Sequence, residues 1–253
     1  MSATAPVLVA FDTATEALAV AAGSASSLRT RVAAGGATAS ATLLPSVRAL
    51  LQDSGHAWAD IDAIAFGRGP GAFTGLRTSA AVAQGLAFGL SLPVLAIDSL
   101  LIVAEDARAA GLGADIGMDS GMDSGVDIGV AMDARMGEVY AARYRFDGVC
   151  WHTVQEPVLC APESLVAEWS GGGAPECIAG TALTAFADRV VWPAAARRCP
   201  VEADRAAALW RLAATAWAAG EAVDAAQALP LYLRDKVALT TEERAAAARA
   251  KSR

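Results

Sequence analysis

Histidine is almost absent from this chain of 253 residues, and the absence is informative. Its two copies, His56 and His152, stand too far apart to form an HxxxH or HExxH pair, which excludes a helical zinc or iron site. Cysteine is equally sparse: Cys150, Cys160, Cys177 and Cys199 contain no CxxC spacing, so zinc knuckles and dithiol redox motifs are missing. Packed thiols in a reducing compartment are the simplest account. There is no GxSxG elbow, and the sequence assigns no cysteine a histidine partner. Charge is thin at 19%, and 27 acidic against 20 basic residues leave a net charge of −7. Phosphate contacts need a basic face, so a partner must supply most of any grip on nucleic acid. No basic stretch precedes the first apolar run, and that run is too short for a signal peptide. The uncharged segment Thr78–Ile97 contains Gln84, Gly85, Gly89 and Pro93, and reads as a helix followed by a strand, not as a membrane span. These absences predict a soluble, cytoplasmic protein without a complete active site of its own.

What is present is apolar. Hydrophobic residues make up 55% of the chain, enough for a large core and too much for general disorder. Val7–Phe11 reads as a strand buried on both faces and ends in Asp12. ALAVAAG and LRTRVA offer two further strands, and a helix is expected over Thr42–Ser54 with Leu43, Val47, Leu50 and Leu51 on one side and Pro45 in its first turn. IDAIAFG is a strand leading into GRGPGAFTGLR; a helix should run from after Gly75 to Gly89, and PVLAID is the next strand. Strands followed by alternating helix and strand predict an α/β lobe with a mixed sheet.

Residues 113–129 repeat every four positions, with Gly at 113, 117, 121, 125 and 129 and Asp at 115, 119, 123 and 127. That period fits neither an EF-hand nor a β-roll, and an expanded surface loop is expected. Beyond it the pattern of the N-terminus returns. VAFDTATEALAVAAG and VAMDARMGEVYAARY share a strand, an aspartate, a turn, a glutamate and a second strand, pairing Asp12 with Asp133 and Glu16 with Glu138. Tyr140, Ala142, Tyr144 and Phe146 fall on one face by alternation. The expected organisation is an N-terminal lobe over 1–106, a flexible inserted loop over 107–127, a C-terminal lobe over 128–229 with a helix near Asp204–Ala219, and a tail over 230–253. In the tail, Thr240 and Glu243 have capping-box spacing.

The glycine loop admits two readings. Gly69, Gly71 and Gly75 let backbone approach closely, and a helix starting there would aim free N–H groups at an anion, with Arg77 to neutralise it. The spacing, however, is neither the Rossmann nor the Walker pattern, and no Lys-Ser/Thr pair follows. A tight turn that lets helix and sheet pack closely is the other reading. Asp12 and Thr13 likewise suit either a metal or phosphate site or an aspartate satisfied by turn N–H groups. On the helix, Ala81, Gly85 and Gly89 recur every four residues and form a nearly bare face, suited to packing on its own sheet or to docking another subunit.

FDTATEALAVA, GRGPGAFTGLR with AQGLA, MDARMGEVYAARY and LPLYLRD, in that order from Val7 to Arg234, resemble the TsaB (YeaZ) family of bacterial tRNA-modification subunits. The resemblance implies two lobes of the actin-like and sugar-kinase-like ATPase fold, each a mixed sheet with flanking helices. It also implies a non-catalytic scaffold or activator for TsaD, the subunit that transfers threonylcarbamoyl to the adenosine beside the anticodon and that carries the metal-binding histidine pair missing here. A TsaE-type ATPase joins such an assembly. No cofactor is implied for the isolated chain, and ATP or ADP only within the complex, where Asp12, Thr13, Gly69, Gly71, Thr74, Gly75 and Arg77 would be the contacting residues. Docking in relatives uses N-terminal helices, so Leu43, Val47, Leu50, Leu51, Ala81, Gly85 and Gly89 become interface residues, with a homodimer expected when the partner is missing. tRNA would be met only through the complex. Many relatives have a His-Thr or His-Ser pair before LLP where this chain has Ala39 and Ser40. A stand-alone ATPase or small-molecule kinase of the same fold is the alternative, and a metallopeptidase is disfavoured by the missing histidine pair.

Overall fold

The computed structural model describes residues 5–111, 125–171, 173–200 and 202–234. The chain opens with β1 (Leu8–Asp12), β2 (Ala17–Gly23) and β3 (Arg29–Ala34), then α1 (Ala39–Asp53), β4 (Ala63–Gly69), α2 (Phe73–Leu90), β5 (Val94–Asp98) and α3 (Ser99–Ala109). After the undescribed segment come β6 (Val126–Asp133), β7 (Val139–Phe146), β8 (Trp151–Cys160), α4 (Pro162–Ser170), β9 (Cys177–Ala179), α5 (Ala182–Ala185), β10 (Arg197–Cys199) and α6 (Arg205–Ala218).

The strands make two five-stranded sheets, ordered β3-β2-β1-β4-β5 and β8-β7-β6-β9-β10. Counted within each lobe, the order is the same: third, second, first, fourth, fifth. In both, the first strand pairs antiparallel with the second and parallel with the fourth. The duplication legible at Asp12 and Asp133 is therefore a duplication of whole lobes, as in the actin-like ATPase fold. It extends to the turns. Asp12 Oδ1 accepts from Ala14 N at 2.6 Å, and Asp133 Oδ1 accepts from Arg135 N at 2.8 Å. The extra length of the second turn is taken up by Arg135, Met136 and Gly137, all at positive φ.

The first sheet buries both faces. One carries Val9, Phe11, Val20 and Phe66 against Leu43, Val47, Leu50 and Leu51 of α1 and Ala80, Ala83 and Ala87 of α2. The other carries Leu8, Ala10, Ala21 and Leu95 against Leu209, Leu212 and Ala213 of α6. Full burial of each Leu, Val or Phe is worth about 1.5–3 kcal/mol. The second sheet puts Tyr140, Ala142, Tyr144 and Phe146 on the side that packs Leu100, Val103 and Ala107 of α3, as their alternation predicts.

Several sequence expectations need correction. The C-terminal lobe does not run to 229: α6, Ala225 and Ala228 pack on the first sheet, because the apolar face of α6 covers the side of that sheet that α1 and α2 leave bare. Nor does the inserted loop begin at 107 or end at 127. α3 continues to Ala109, and the last repeat units become β6, where Asp127 pairs with Arg143 at 2.6 Å and Gly129 packs against Trp169. The remaining repeats and the Thr240–Glu243 capping box lie outside the described residues. α1 begins at Ala39, so Pro45 sits inside the helix and not in its first turn. Pro45 has no N–H for the Ala41 carbonyl, and Ala41 is exposed to water. α2 begins at Phe73, which places Gly75 inside the first turn. Thr78–Ile97 is helix and then strand, and among the described residues no helix is long and apolar enough to cross a membrane.

Candidate functional site

The glycine loop lies on top of the turn that follows β1. Ala72 N donates to the Ala14 carbonyl at 2.7 Å. A Cβ on Gly71 would strike the Ala14 carbonyl oxygen, one on Gly75 the Thr13 carbonyl oxygen, and one on Gly69 the Leu231 carbonyl and the Leu76 side chain. Thr13 Oγ1 donates to the Gly75 carbonyl at 2.7 Å, and Thr13 N donates to Ser79 Oγ at 3.1 Å. Gly71 and Gly75 are therefore glycine because protein backbone occupies the space a side chain would need. Of the two readings of this loop, the geometry is that of the tight packing joint.

Asp12 is fully buried beneath that joint. Its Oδ2 accepts from Arg205 Nη2 at 2.7 Å, and the same Nη2 reaches the Ser99 carbonyl at 3.1 Å. Gly67 has no side chain because a Cβ there would overlap the Asp12 carboxyl group. Arg205 is also held by Glu202 at 3.0 Å; burial opposes its charge, but the Glu202 and Asp12 carboxylates outweigh it and push the guanidinium pKa up. Asp98 begins α3 by accepting from Leu100 N at 2.9 Å and receives the Tyr144 hydroxyl from the other lobe at 2.9 Å. Burial raises the pKa of both partners.

Between the lobes is a cleft of about 750 Å³, walled by the 14–17 turn, Pro70–Phe73, Met132–Met136 and Tyr140, with 231–234 across its mouth. The last stretch ties the two sides together. Leu231 N donates to the Arg68 carbonyl at 2.7 Å, Tyr232 stacks on Phe73 with centroids 4.9 Å apart, and Arg234 pairs with Glu138 at 2.8 Å. Arg77 lies over Phe73 and reaches Tyr232 Oη at 3.3 Å; Thr74 is exposed. Each acidic residue of the cleft wall already has an arginine: Glu16 and Asp133 share Arg135, and Glu202 holds Arg205.

The outer surface of α1 and α2 is different. Leu43, Val47, Leu50 and Leu51, expected at an interface, are buried in the lobe's own core and cannot touch a partner. The 3.6-residue period that selects them as one apolar face selects the face turned to the sheet. The same helix offers solvent Leu44, Pro45, Arg48 and Gln52, which line a groove with Trp58 and Leu86. Beside it, Ala81, Gly85 and Gly89 are exposed, and a Cβ on Gly85 or Gly89 would meet nothing within 4 Å. Phe88 is 62% exposed and Leu44 44%. The bare face thus points away from its own sheet, which α2 covers with Ala80, Ala83 and Ala87.

Residues 36–246 match the family model described as TsaD, tRNA N6-adenosine threonylcarbamoyltransferase. The tRNA threonylcarbamoyladenosine biosynthesis protein TsaB of Escherichia coli is 33% identical over 245 residues, covering 91% of this chain and 96% of that protein. The chain belongs to the TsaB family. Its Haemophilus influenzae member is 35% identical over 132 residues, about half of each chain. The solved structure of YeaZ from Pseudomonas aeruginosa superposes with a TM-score of 0.75 at 37% identity, covering 90% of this chain and all of that one. This TsaB-family chain therefore has the expected fold.

Sequence reasoning missed Arg205, the partner of Asp12, because nothing local marks an arginine 193 positions away. It also gave no cysteine a histidine partner, whereas Cys150 Sγ lies 3.3 Å from His152 Nε2. The C-x-H spacing on one strand edge was the available signal.

Proposed function

We propose that this chain is a non-catalytic scaffold in tRNA threonylcarbamoyladenosine synthesis. It docks a TsaD-type transferase through the outer surface of α1 and α2, and a TsaE-type ATPase joins the assembly. The observation that carries the reading is the exposed, side-chain-poor stripe Ala81–Gly85–Gly89 beside Leu44 and Phe88, in a family whose curated members are named for this biosynthesis. A stripe without side chains lets a second helix approach at backbone distance, and flanking apolar groups supply area to bury. The same surface pairs two copies when the transferase is missing. A net charge of −7 leaves tRNA to the transferase.

The glycine loop serves this role as a positioning device. It clamps the first turn of α2 onto the Asp12–Ala14 turn and so fixes the angle at which the docking helix is presented. Nucleotide enters, on this reading, only in the assembled complex, beside the cleft near Thr74 and Arg77, which reaches Tyr232 of its lining. The stand-alone ATPase alternative requires Asp12 free for a metal or phosphate, and support for it is weakened by the Arg205 pair.

The test is tRNA threonylcarbamoylation from threonylcarbamoyl-AMP by cognate TsaD and TsaE, with and without this chain, alongside size-exclusion chromatography. Modification that requires the chain, with co-elution lost in Gly85→Arg, is expected. Modification indifferent to the chain, or ATP turnover by the chain alone, overturns the proposal.

A further inference from the structure

The hairpin joining β7 and β8 turns over Asp147, Gly148, Val149 and Cys150. Asp147 N donates to the Cys150 carbonyl at 3.1 Å, and Asp147 Oδ1 accepts from Val149 N at 2.9 Å and Cys150 N at 2.8 Å. The other carboxylate oxygen, Oδ2, lies 2.6 Å from His152 Nε2 and 3.4 Å from Cys150 Sγ. Sulfur and imidazole nitrogen are 3.3 Å apart. Oxygen, sulfur and nitrogen thus converge at one point, and the imidazole and carboxylate side chains are 56% and 41% exposed.

Two chemistries use such a trio. A nucleophilic relay places sulfur on one imidazole nitrogen and the carboxylate on the other. Here both face Nε2, so no relay is formed. The hydrogen bond to Asp147, burial and the carboxylate charge also raise the Cys150 thiol above its ordinary value, away from an activated nucleophile. Metal ligation has the opposite geometric requirement, all three atoms aimed at one centre. In a tetrahedral zinc site the usual bond lengths put sulfur about 3.5 Å from a nitrogen or oxygen ligand. The observed 3.3 and 3.4 Å are already close to that. Only the Asp147–His152 separation, now a hydrogen bond, must open, by about 0.7 Å to reach tetrahedral spacing.

We infer that Asp147, Cys150 and His152 bind one zinc-class divalent cation at the tip of the second lobe, with a fourth position open to water or to an outside ligand. Binding releases the Cys150 thiol proton to solvent and takes imidazole in its neutral form through Nε2. Mixed sulfur, nitrogen and oxygen donors select zinc and its neighbours over calcium or magnesium, which prefer oxygen alone. Arg145, opposite His152 in the β7–β8 register, sets a positive charge beside the site and limits its affinity. The site is independent of the proposed docking role.

The test uses the full-length, untagged chain, stripped with chelator and titrated with Zn²⁺ against a chromophoric competitor, and separately with Co²⁺. One equivalent bound and a thiolate-to-cobalt charge-transfer band are expected. Cys150→Ser and His152→Ala should each weaken Zn²⁺ binding at least about tenfold, with unchanged circular dichroism, while Cys160→Ser retains it. Absence of the cobalt band in the unmutated chain, or Zn²⁺ affinity in both variants unchanged from that of the unmutated chain, overturns the assignment.

Discussion

Arg205 Nη2 and Asp12 Oδ2 are 2.7 Å apart, both buried, and join the start of α6 to the end of β1 across 193 residues of sequence. Removing one partner of a buried pair typically costs about 3–5 kcal/mol, and Glu202, which still holds Arg205, places Asp12→Asn at the lower end of that range. Asp12→Asn should therefore lower the free energy of urea unfolding by that amount. Asp12→Asn combined with Arg205→Met should recover much of it. Full stability in the single variant would mean that the pair does not hold α6 in place.

The glycines of the loop and those of the α2 stripe should respond in opposite directions. Gly75→Ala drives a methyl group into the Thr13 carbonyl, an overpacking worth about 1–3 kcal/mol of destabilisation. Gly85→Ala meets nothing, and in a helix interior should stabilise by up to about 1 kcal/mol. Thermal unfolding of the two variants side by side reads the difference.

Neighbouring leucines of α1 make a second contrast. Leu43→Ala empties a fully buried site and should cost about 2–5 kcal/mol. Leu44→Ala, on the exposed side, should change stability by less than about 0.5 kcal/mol while weakening co-elution with TsaD. Chromatography of folded Leu44→Ala protein is the decisive measurement.

Burial raises the Cys177 thiol from its ordinary value of 9.0 to about 11. A pKa raised in the folded state means that the folded chain holds its proton longer than the unfolded chain does. The resulting stability is complete below pH 9 and is lost as pH rises towards about 11. Cys177→Ala should unfold with a shallower dependence on pH across that window, read from urea midpoints at pH 8 and above pH 10.

The β1–β2 and β6–β7 units were legible in the sequence because both depend on short-range signals. A continuous apolar strand, an aspartate that caps its own turn and a period-two second strand recur at Asp12 and Asp133, and the two lobes fold with one topology. The helix after Gly75 and the strand that follows it were legible for the same reason, since Gly89 and Pro93 break the run. Three of the four family motifs lie on these local units too, while LPLYLRD is held by long-range contacts to Arg68, Phe73 and Glu138.

Local pattern determined that α1 and α2 are amphipathic, and that one stripe of α2 has almost no side chains. Which stripe would meet water was decided by tertiary structure. Periodicity finds the apolar face of a helix but does not say whether sheet or partner covers it, and packing turned Leu43, Val47, Leu50 and Leu51 inward while leaving Ala81, Gly85 and Gly89 outside. The glycine loop had the same ambiguity, because a residue without a side chain admits a phosphate and a carbonyl equally well; the close approach of Thr13 and Ala14 resolved it. Asp12 needed its arginine from α6, and α6 left the second lobe for the first, because the bare face of a sheet selects whatever apolar helix the chain can return to it.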